Sequence, residues 1–347
     1  MTPDAEQKLA LPDREVGEAS AEGSAAPAAG SSGYSYDLAG EGEQPRSVVH
    51  RDKPARVVAT RTTLGRRLLE LWGSRELIVF LVRKEIKVKY KNSALGLLWS
   101  MLNPAFTLMV YFFVFQIVLH NGVPQYAIYL MAGLLPWNLF QTAMMSGTTS
   151  IVDNGGIVKK VAFPREVLAL ASVGTAMMFF VFQATVMALF MVGFLHAAAW
   201  GELWLLVPAL AALLVFSAAL TVFLSAVNVY LRDTRHLIEV LLVAWFWAVP
   251  AVYAFKLLYP GLVHHHLLWL YFANPMSSIV LTFQRVLYNA HMAAATTHPV
   301  AASVVLFVFS PTWYLVANLI VLGVSVVLFL VALAIFGRLE GNFAEEL

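Results

Sequence analysis

The chain has 347 residues, 59% of them hydrophobic and only 13% charged, with a mean hydropathy of +0.71 and a formal net charge of +2. A soluble domain carries about 25% charged residues, so this apolar surplus excludes a disordered chain, a small secreted domain and a soluble enzyme, and calls for a bilayer. Cysteine is absent, which excludes disulfides, thiolate chemistry and cysteine zinc sites.

Residues 1–62 are rich in Ala, Gly, Ser, Pro and Glu and carry no apolar periodicity. Such a segment buries too little to offset its ordering entropy, so it predicts a disordered tail. No apolar core follows the start, as a cleavable signal peptide requires. The membrane domain is expected over 63–347.

The stretch Arg75–Lys91 predicts a helix lying in the headgroup layer. Ile78, Val79, Val82, Ile86 and Tyr90 share one arc, and Arg83, Lys84, Lys87 and Lys91 share its neighbour. A plain cationic anchor and a partner-binding helix both fit this pattern. The alternation over Ile86–Tyr90 also permits a short strand.

From Asn92 to Val152 there is no Asp, Glu, Lys or Arg, a run of 61 residues. That is enough for two spans of about 20 residues each. The polar break His120–Gln125 places them at 96–119 and 126–147. Span three is expected from Glu166 to His196, span four from Leu203 to Tyr230, span five from Leu237 to Phe255 and span six from Trp313 to Phe336. Between the last two, Leu267–Tyr271 and Ser277–Tyr288 predict short re-entrant helices, and two extra full spans are the alternative.

Fifteen of the 23 Lys and Arg precede span one. Lys159, Lys160 and Arg165 follow span two, Arg232 and Arg235 follow span four, and Arg338 follows span six. Only Lys256 and Arg285 fall on the other side. The positive-inside rule then puts both termini in the cytoplasm. The predicted fold is an all-α membrane protein: six transmembrane helices, an N-terminal amphipathic interface helix, and short re-entrant outer helices between spans five and six.

Several segments are candidates for function. In the loop Ser150–Glu166, Asp153 or Asn154 can cap a short helix that Pro164 ends. Its apolar side chains are Ile157, Val158, Val161 and Phe163. The helix either plugs into a cytoplasmic partner or is a simple connector. Arg232, Asp233 and Arg235 form a second cytoplasmic turn. Tyr111, Phe112, Phe113 and Phe115 fall within span one, and Trp245, Phe246 and Trp247 within span five. They either pack against neighbours or line a channel whose flat apolar faces slide along sugar rings. His264–His266 cannot converge on one metal, so no metal site is expected, and no catalytic residue is assigned.

Absences point the same way. No Gly-Lys pair occurs, so the GxxxxGK[ST] phosphate loop is missing. The spans hold almost no ionisable residues, which proton- or sodium-coupled carriers place there. Glu202 is the one carboxylate expected on the outer face, poor equipment for acid–base chemistry. The energy source is expected on another polypeptide.

From Arg75 to its end the chain resembles the permease subunit of ABC type-2 exporters, in the branch that exports polysaccharides such as O-antigen, teichoic acid and galactan. The stretches that carry the resemblance are Arg75-Glu-Leu, Arg83-Lys-Glu-Ile-Lys-Val-Lys-Tyr-Lys91, Leu95-Gly-Leu-Leu-Trp-Ser-Met-Leu-Asn-Pro104 and Gly133-Leu-Leu-Pro-Trp137. Further on come Lys159-Lys-Val-Ala-Phe-Pro-Arg-Glu-Val-Leu168, Tyr230-Leu-Arg-Asp233, Asn274-Pro-Met276, Phe336-Gly-Arg-Leu-Glu340 and Phe343-Ala-Glu-Glu-Leu347. The long N-terminal tail departs from the family's usual short start.

The resemblance implies a homodimer in the bacterial cytoplasmic membrane, joined to two copies of an ABC ATP-binding subunit, with ATP and Mg on that partner and no cofactor in this chain. The cargo it implies is a lipid-linked glycan; no nucleic acid is involved. It implies ATPase contacts at Arg83, Lys84, Lys87, Asp153, Asn154, Lys159, Lys160, Phe163, Arg165 and Glu166. Channel aromatics map to Tyr111, Phe112, Phe115, Trp245, Phe246 and Trp247, and an outer gate to Trp269, Tyr271, Asn274 and Pro275. Two rivals stay open. A type-2 permease for a small lipid or drug shares the coupling features. A membrane-embedded glycosyl- or acyltransferase needs outer catalytic groups, for which only Glu202 and His264–His266 are candidates.

Overall fold

The computed structural model describes residues 64–91, 98–120, 123, 125–193, 198–288 and 309–347. All of them lie in one unit, Val58–Leu347. The tail expected over 1–62 lies outside the described residues.

Among the described residues there is no strand, and the Ile86–Tyr90 alternation is helical. Two helices precede the spans: α1 (Leu64–Gly73) and α2 (Arg75–Tyr90). Then come α3 (Leu98–Phe112), which continues as a π-helical turn over Phe113–Val118, and α4 (Tyr126–Asp153). The loop helix α5 (Gly155–Val158) leads to α6 (Glu166–Gly193). A 3-10 turn, Trp200–Leu205, opens α7 (Leu206–Tyr230), and α8 (Thr234–Trp247) follows. The short helices α9 (Phe255–His264), α10 (Leu268–Ala273) and α11 (Pro275–Phe283) come next, α11 continuing as a π-helical turn over Gln284–Tyr288. The long α12 (Pro311–Leu339), a 3-10 turn at Glu340–Asn342 and α13 (Phe343–Glu346) close the chain.

Three segments are long and apolar enough to cross a membrane: Glu166–Val192, Trp200–Tyr230 and Pro311–Asn342, of 27, 31 and 32 residues. At 1.5 Å per residue each exceeds a hydrocarbon core of about 30 Å. The 28-residue α4 is as long but more polar, because its neighbours shield it. It packs between α6, α7, α8 and α11, with Tyr126, Tyr129, Leu130, Phe140 and Ile151 buried. Gly147 lets α4 approach α7, since a Cβ there would collide with Thr221.

The far end of the bundle, where α4 begins, departs from the expectation for span five. Its helix ends at Trp247 instead of continuing to Phe255. Proline lacks an N–H and disfavours helix in the residue before it, so Pro250 breaks the helix. Irregular backbone at membrane depth is tolerated only when protein satisfies its polar groups. Here Tyr126 Oη donates to the Val252 carbonyl at 2.6 Å and Tyr129 Oη to the Tyr253 carbonyl at 2.8 Å. Gln284 Nε2 donates to the Pro250 carbonyl at 2.7 Å. Gly133 makes room for the turn: a Cβ there would lie 2.5 Å from the Ala251 carbonyl oxygen.

Helices do form where re-entrant ones are expected, at α10 and α11, and α9 is an addition. Asn274 caps α11 by accepting from the Met276 N–H at 3.1 Å, with Pro275 at the first helical position. Met276 through Phe283 are all buried. Asn318 of α12 donates to Thr282 Oγ1 at 2.7 Å and ties α11 to the bundle.

Candidate functional site

Two sets of candidates were expected to act at opposite ends of the bundle. At the basic end, Asn154 closes α4, its Nδ2 donating to the Ser150 carbonyl at 2.8 Å. Lys84 of α2 donates to Asn154 Oδ1 at 3.3 Å, so the interface helix touches the loop directly. The loop helix α5 is one turn of four residues, shorter than expected. Val158 is buried and Phe163 packs against the same cluster, while Ile157, Val161, Lys159 and Lys160 face outward. The outer surface of this loop is therefore two apolar side chains beside two ammonium groups. Arg83, Lys87 and Asp153 are exposed as well.

Arg165 and Glu166 turn the other way. Arg67 of α1 holds Glu166 Oε1 at 2.5 Å and lies 3.2 Å from Glu340 Oε2. Gly337 of α12 leaves space for this guanidinium, since a Cβ there would lie 2.5 Å from Arg67 Cζ. Arg165 donates to the Glu340 carbonyl at 2.6 Å and stands 5.7 Å from the Phe343 ring centre. Tyr230 Oη donates to the Leu339 carbonyl at 2.6 Å. Phe343 is fully buried, and Leu347 lies near Gly155, where a Cβ added to the glycine would stand 3.8 Å from its side chain. The C-terminal segment thus lies between the α5 loop and the end of α7. Arg67 and Glu340, which build this knot, are not among the sequence candidates; the signals were apolar spacing in Leu64–Gly73 and the place of Glu340 at the end of the stretch Phe336–Glu340.

Glu85 faces α6, accepting from Thr175 Oγ1 at 2.6 Å. Burial holds its carboxyl above the usual range, with the Thr175 hydrogen bond and Lys84 opposing. Lys89 lies 4.5 Å from the centre of the Phe179 ring.

The aromatic candidates form one connected group. Tyr111 stacks on Phe246 with ring centres 5.8 Å apart, and Phe115 lies 6.1 Å from Tyr126. Phe246 is only 8% exposed, and the Trp137 ring also packs on it at 5.3 Å. Trp245 packs against Phe140 at 5.1 Å, and its Nε1 donates to Asn274 Oδ1 at 3.0 Å. That bond joins a channel candidate to the cap of α11 and to Pro275. Within one chain Trp245 and Phe246 are packing groups. Trp247 is 52% exposed, and Tyr111, Phe112 and Phe115 are half-buried. Tyr271 packs on Phe255 at 5.0 Å, whereas Trp269 is 70% exposed.

Two polar features escaped the sequence reading. Asn138 of α4 donates to Gln183 of α6 at 3.0 Å, on the wall of a cavity of about 280 Å³ otherwise lined by apolar side chains such as Leu108, Met131 and Phe190. At the far end Arg285 grips Glu202 with two hydrogen bonds, of 2.6 and 2.7 Å, and donates to the Phe309 carbonyl at 2.9 Å. Glu202 is therefore a structural partner of Arg285 and poorly placed for catalysis. His264–His266 are exposed, and among the described residues no group of three or more His, Asp or Glu is placed to hold a metal ion.

The sequence profile of the family described as ABC-2 type transporter matches residues 76–288, from the first turn of α2 to the end of the π-helical turn after α11. The chain is 32% identical over 279 residues to the O-antigen export system permease protein RfbA of Myxococcus xanthus, covering 80% of this chain and 98% of that protein. Two proteins of the same description from Klebsiella pneumoniae are 27% identical over 274 residues, covering 78% of this chain and 95% of each of them.

Proposed function

The chain belongs to the ABC-2 type transporter family, and from that premise we propose that it is the transmembrane subunit of an ATP-driven exporter of a lipid-linked polysaccharide. The observation that carries this reading is similarity along nearly the full length of proteins described as O-antigen export permeases. The working unit is two copies of this chain with two copies of an ABC ATP-binding subunit, which binds ATP and Mg. It sits in the bacterial cytoplasmic membrane with six spans, both termini inside, and α9–α11 at the outer mouth. The tail over 1–62 is then cytoplasmic.

ATP binding in the partner presses on the α5 loop. Its exposed Ile157, Val161, Lys159 and Lys160 suit a protein surface with an apolar notch and acidic rim. The loop is continuous with α4, and Lys84 links it to α2, so a push there reaches both elements. Glycan enters from the cytoplasm on a polyprenyl diphosphate or similar lipid. It passes between the two copies over the partly exposed faces of Tyr111, Phe112, Phe115 and Trp247. Flat apolar contacts on sugar CH edges hold no single residue tightly, and conduction needs sites that release.

The deciding experiment is a mild-detergent pull-down of the tagged chain, with mass spectrometry and an ATPase assay on the eluate. A stoichiometric P-loop subunit with ATPase activity is expected. A clean preparation without one overturns the exporter reading. Glycan retained in the cytoplasm after depletion of the chain separates polysaccharide cargo from a small lipid or drug. Reversing charge at Lys159 and Lys160 should leave ATP hydrolysis running while export falls.

A further inference from the structure

α1 divides into three sectors. Arg67 and Leu71 point inward, Arg67 to the Glu166 and Glu340 carboxylates and Leu71 into the apolar cluster at the basic end. Arg66 and Glu70 form an exposed i,i+4 pair at 3.1 Å on a second sector. The third sector is apolar and uncovered: Leu64, Leu68, Leu69 and Trp72 are exposed, Leu69 by 74% and Trp72 by 72%. Four large apolar side chains on one arc of a ten-residue helix are out of place in water.

The inward sector fixes where this arc lies. Glu166 is the first residue of one bilayer-length apolar helix, and Glu340 lies in the last turn of another, Pro311–Asn342. Arg67 touches both, and its guanidinium rests over Gly337 of α12. It therefore stands at the level where the apolar spans meet water. α12 itself carries exposed Val324, Val327 and Val331 a few turns away, a surface made for acyl chains. A helix pinned at that level, with Leu and Trp on one arc and a charged pair on the next, has the layout of an interfacial helix. Trp belongs at that boundary, where its ring is apolar and its N–H stays wet.

We propose that α1 is a lipid-binding element. Its Leu64, Leu68, Leu69 and Trp72 enter the headgroup–acyl boundary at the basic end. Arg67 latches this membrane-held helix to the ends of α6 and α12. The charged pair Arg66–Glu70 stays in water. The inference rests on α6 and α12 spanning a bilayer and is independent of cargo.

The chain lacks cysteine, so single thiols can be placed without background. Leu69→Cys, Trp72→Cys and Arg66→Cys variants of the full chain, reconstituted in phosphatidylethanolamine–phosphatidylglycerol vesicles, are labelled with bimane. Val327→Cys serves as the bilayer-facing control. A phospholipid with a nitroxide high on its acyl chain should quench labels at 69 and 72 several-fold more than at 66, and iodide should show the reverse order. The same order is expected with and without the co-expressed ATPase. Equal quenching of 69, 72 and 66 by iodide, with Val327→Cys still lipid-quenched, overturns the proposal and leaves the arc in water. Shielding of 69 and 72 that appears only with the ATPase also overturns it and makes the arc a protein-docking face. Lipid quenching in a chain that recruits no ATPase keeps this inference and removes the exporter reading.

Discussion

The two ends of the bundle hold irregular backbone in place by different chemistry. At the basic end, the turn after α12 is gripped by ions: Arg67 binds Glu166 and Glu340, and Arg165 binds the Glu340 carbonyl. At the far end, the break after α8 is held by neutral donors, with Gln284, Tyr126 and Tyr129 donating to the carbonyls of Pro250, Val252 and Tyr253. The difference follows burial. Tyr126, Tyr129 and Gln284 are fully buried, where a charged donor is costly, so the break there is closed by hydroxyls and an amide. Arg67 and Glu340 keep part of their surface exposed and can use guanidinium and carboxylate groups. Glu202–Arg285 fits the same rule, because both side chains are partly exposed.

Removing one partner at the basic end should have the largest effect. Arg67→Ala leaves the buried Glu166 carboxylate without its cation, a change of the kind that costs about 3–5 kcal/mol. The expected outcome is loss of most monodisperse protein by size-exclusion chromatography. Adding Glu166→Gln should restore part of it, since the stranded charge is gone. No rescue by the double variant means that the stranded Glu166 charge is not the cause, and that Arg67 acts through Glu340 or through packing. At the far end, Tyr129→Phe leaves the Tyr253 carbonyl without its donor, at about 1–3 kcal/mol. A lower melting temperature with normal assembly is expected. If Tyr129→Phe proves as damaging as Arg67→Ala, the two ends do not differ in the way argued.

The features legible in the sequence are those set by composition over many residues. The bounds of α6, α7 and α12 follow from runs of apolar residues ended by charge, and α2 from its alternating arcs, whereas α4 begins as expected but runs on to Asp153, past the expected end at 147. What escaped depends on partners distant in the chain. The end of α8 at Trp247 needs Tyr126 and Tyr129, more than a hundred residues earlier, to satisfy its carbonyls. Pro250 was the local sign, but proline inside a span is also tolerated, as Pro136 is within α4. Aromatic residues in a row do not announce their direction: Trp245 and Phe246 have close ring partners within the chain, whereas the neighbouring Trp247 is 52% exposed. The partners of Arg165 and Glu166 are likewise distant: Glu340 lies 175 residues after Arg165, and Arg67 lies 99 residues before Glu166.

The smallest expected effect tests the boundary between these regimes. Glu85 lies on α2, against α6, with Thr175 donating to it and Lys84, Lys89 and Asp153 as its charged neighbours. Burial raises its pKa above the ordinary value of 4.5. A carboxyl with a raised folded-state pKa favours the fold when protonated. Its contribution is complete below the unfolded value and is lost as pH rises through the folded one. The ionised form therefore penalises the protein at neutral pH. Glu85→Gln keeps an acceptor for the Thr175 hydroxyl and removes the titration. The variant should melt at a higher temperature than the parent at pH 8, and the gap should shrink as pH falls toward 4.5. A gap of constant size across that range would mean that Glu85 is already solvated, and that the ionic regime of the basic end reaches up the face of α6 as far as Thr175.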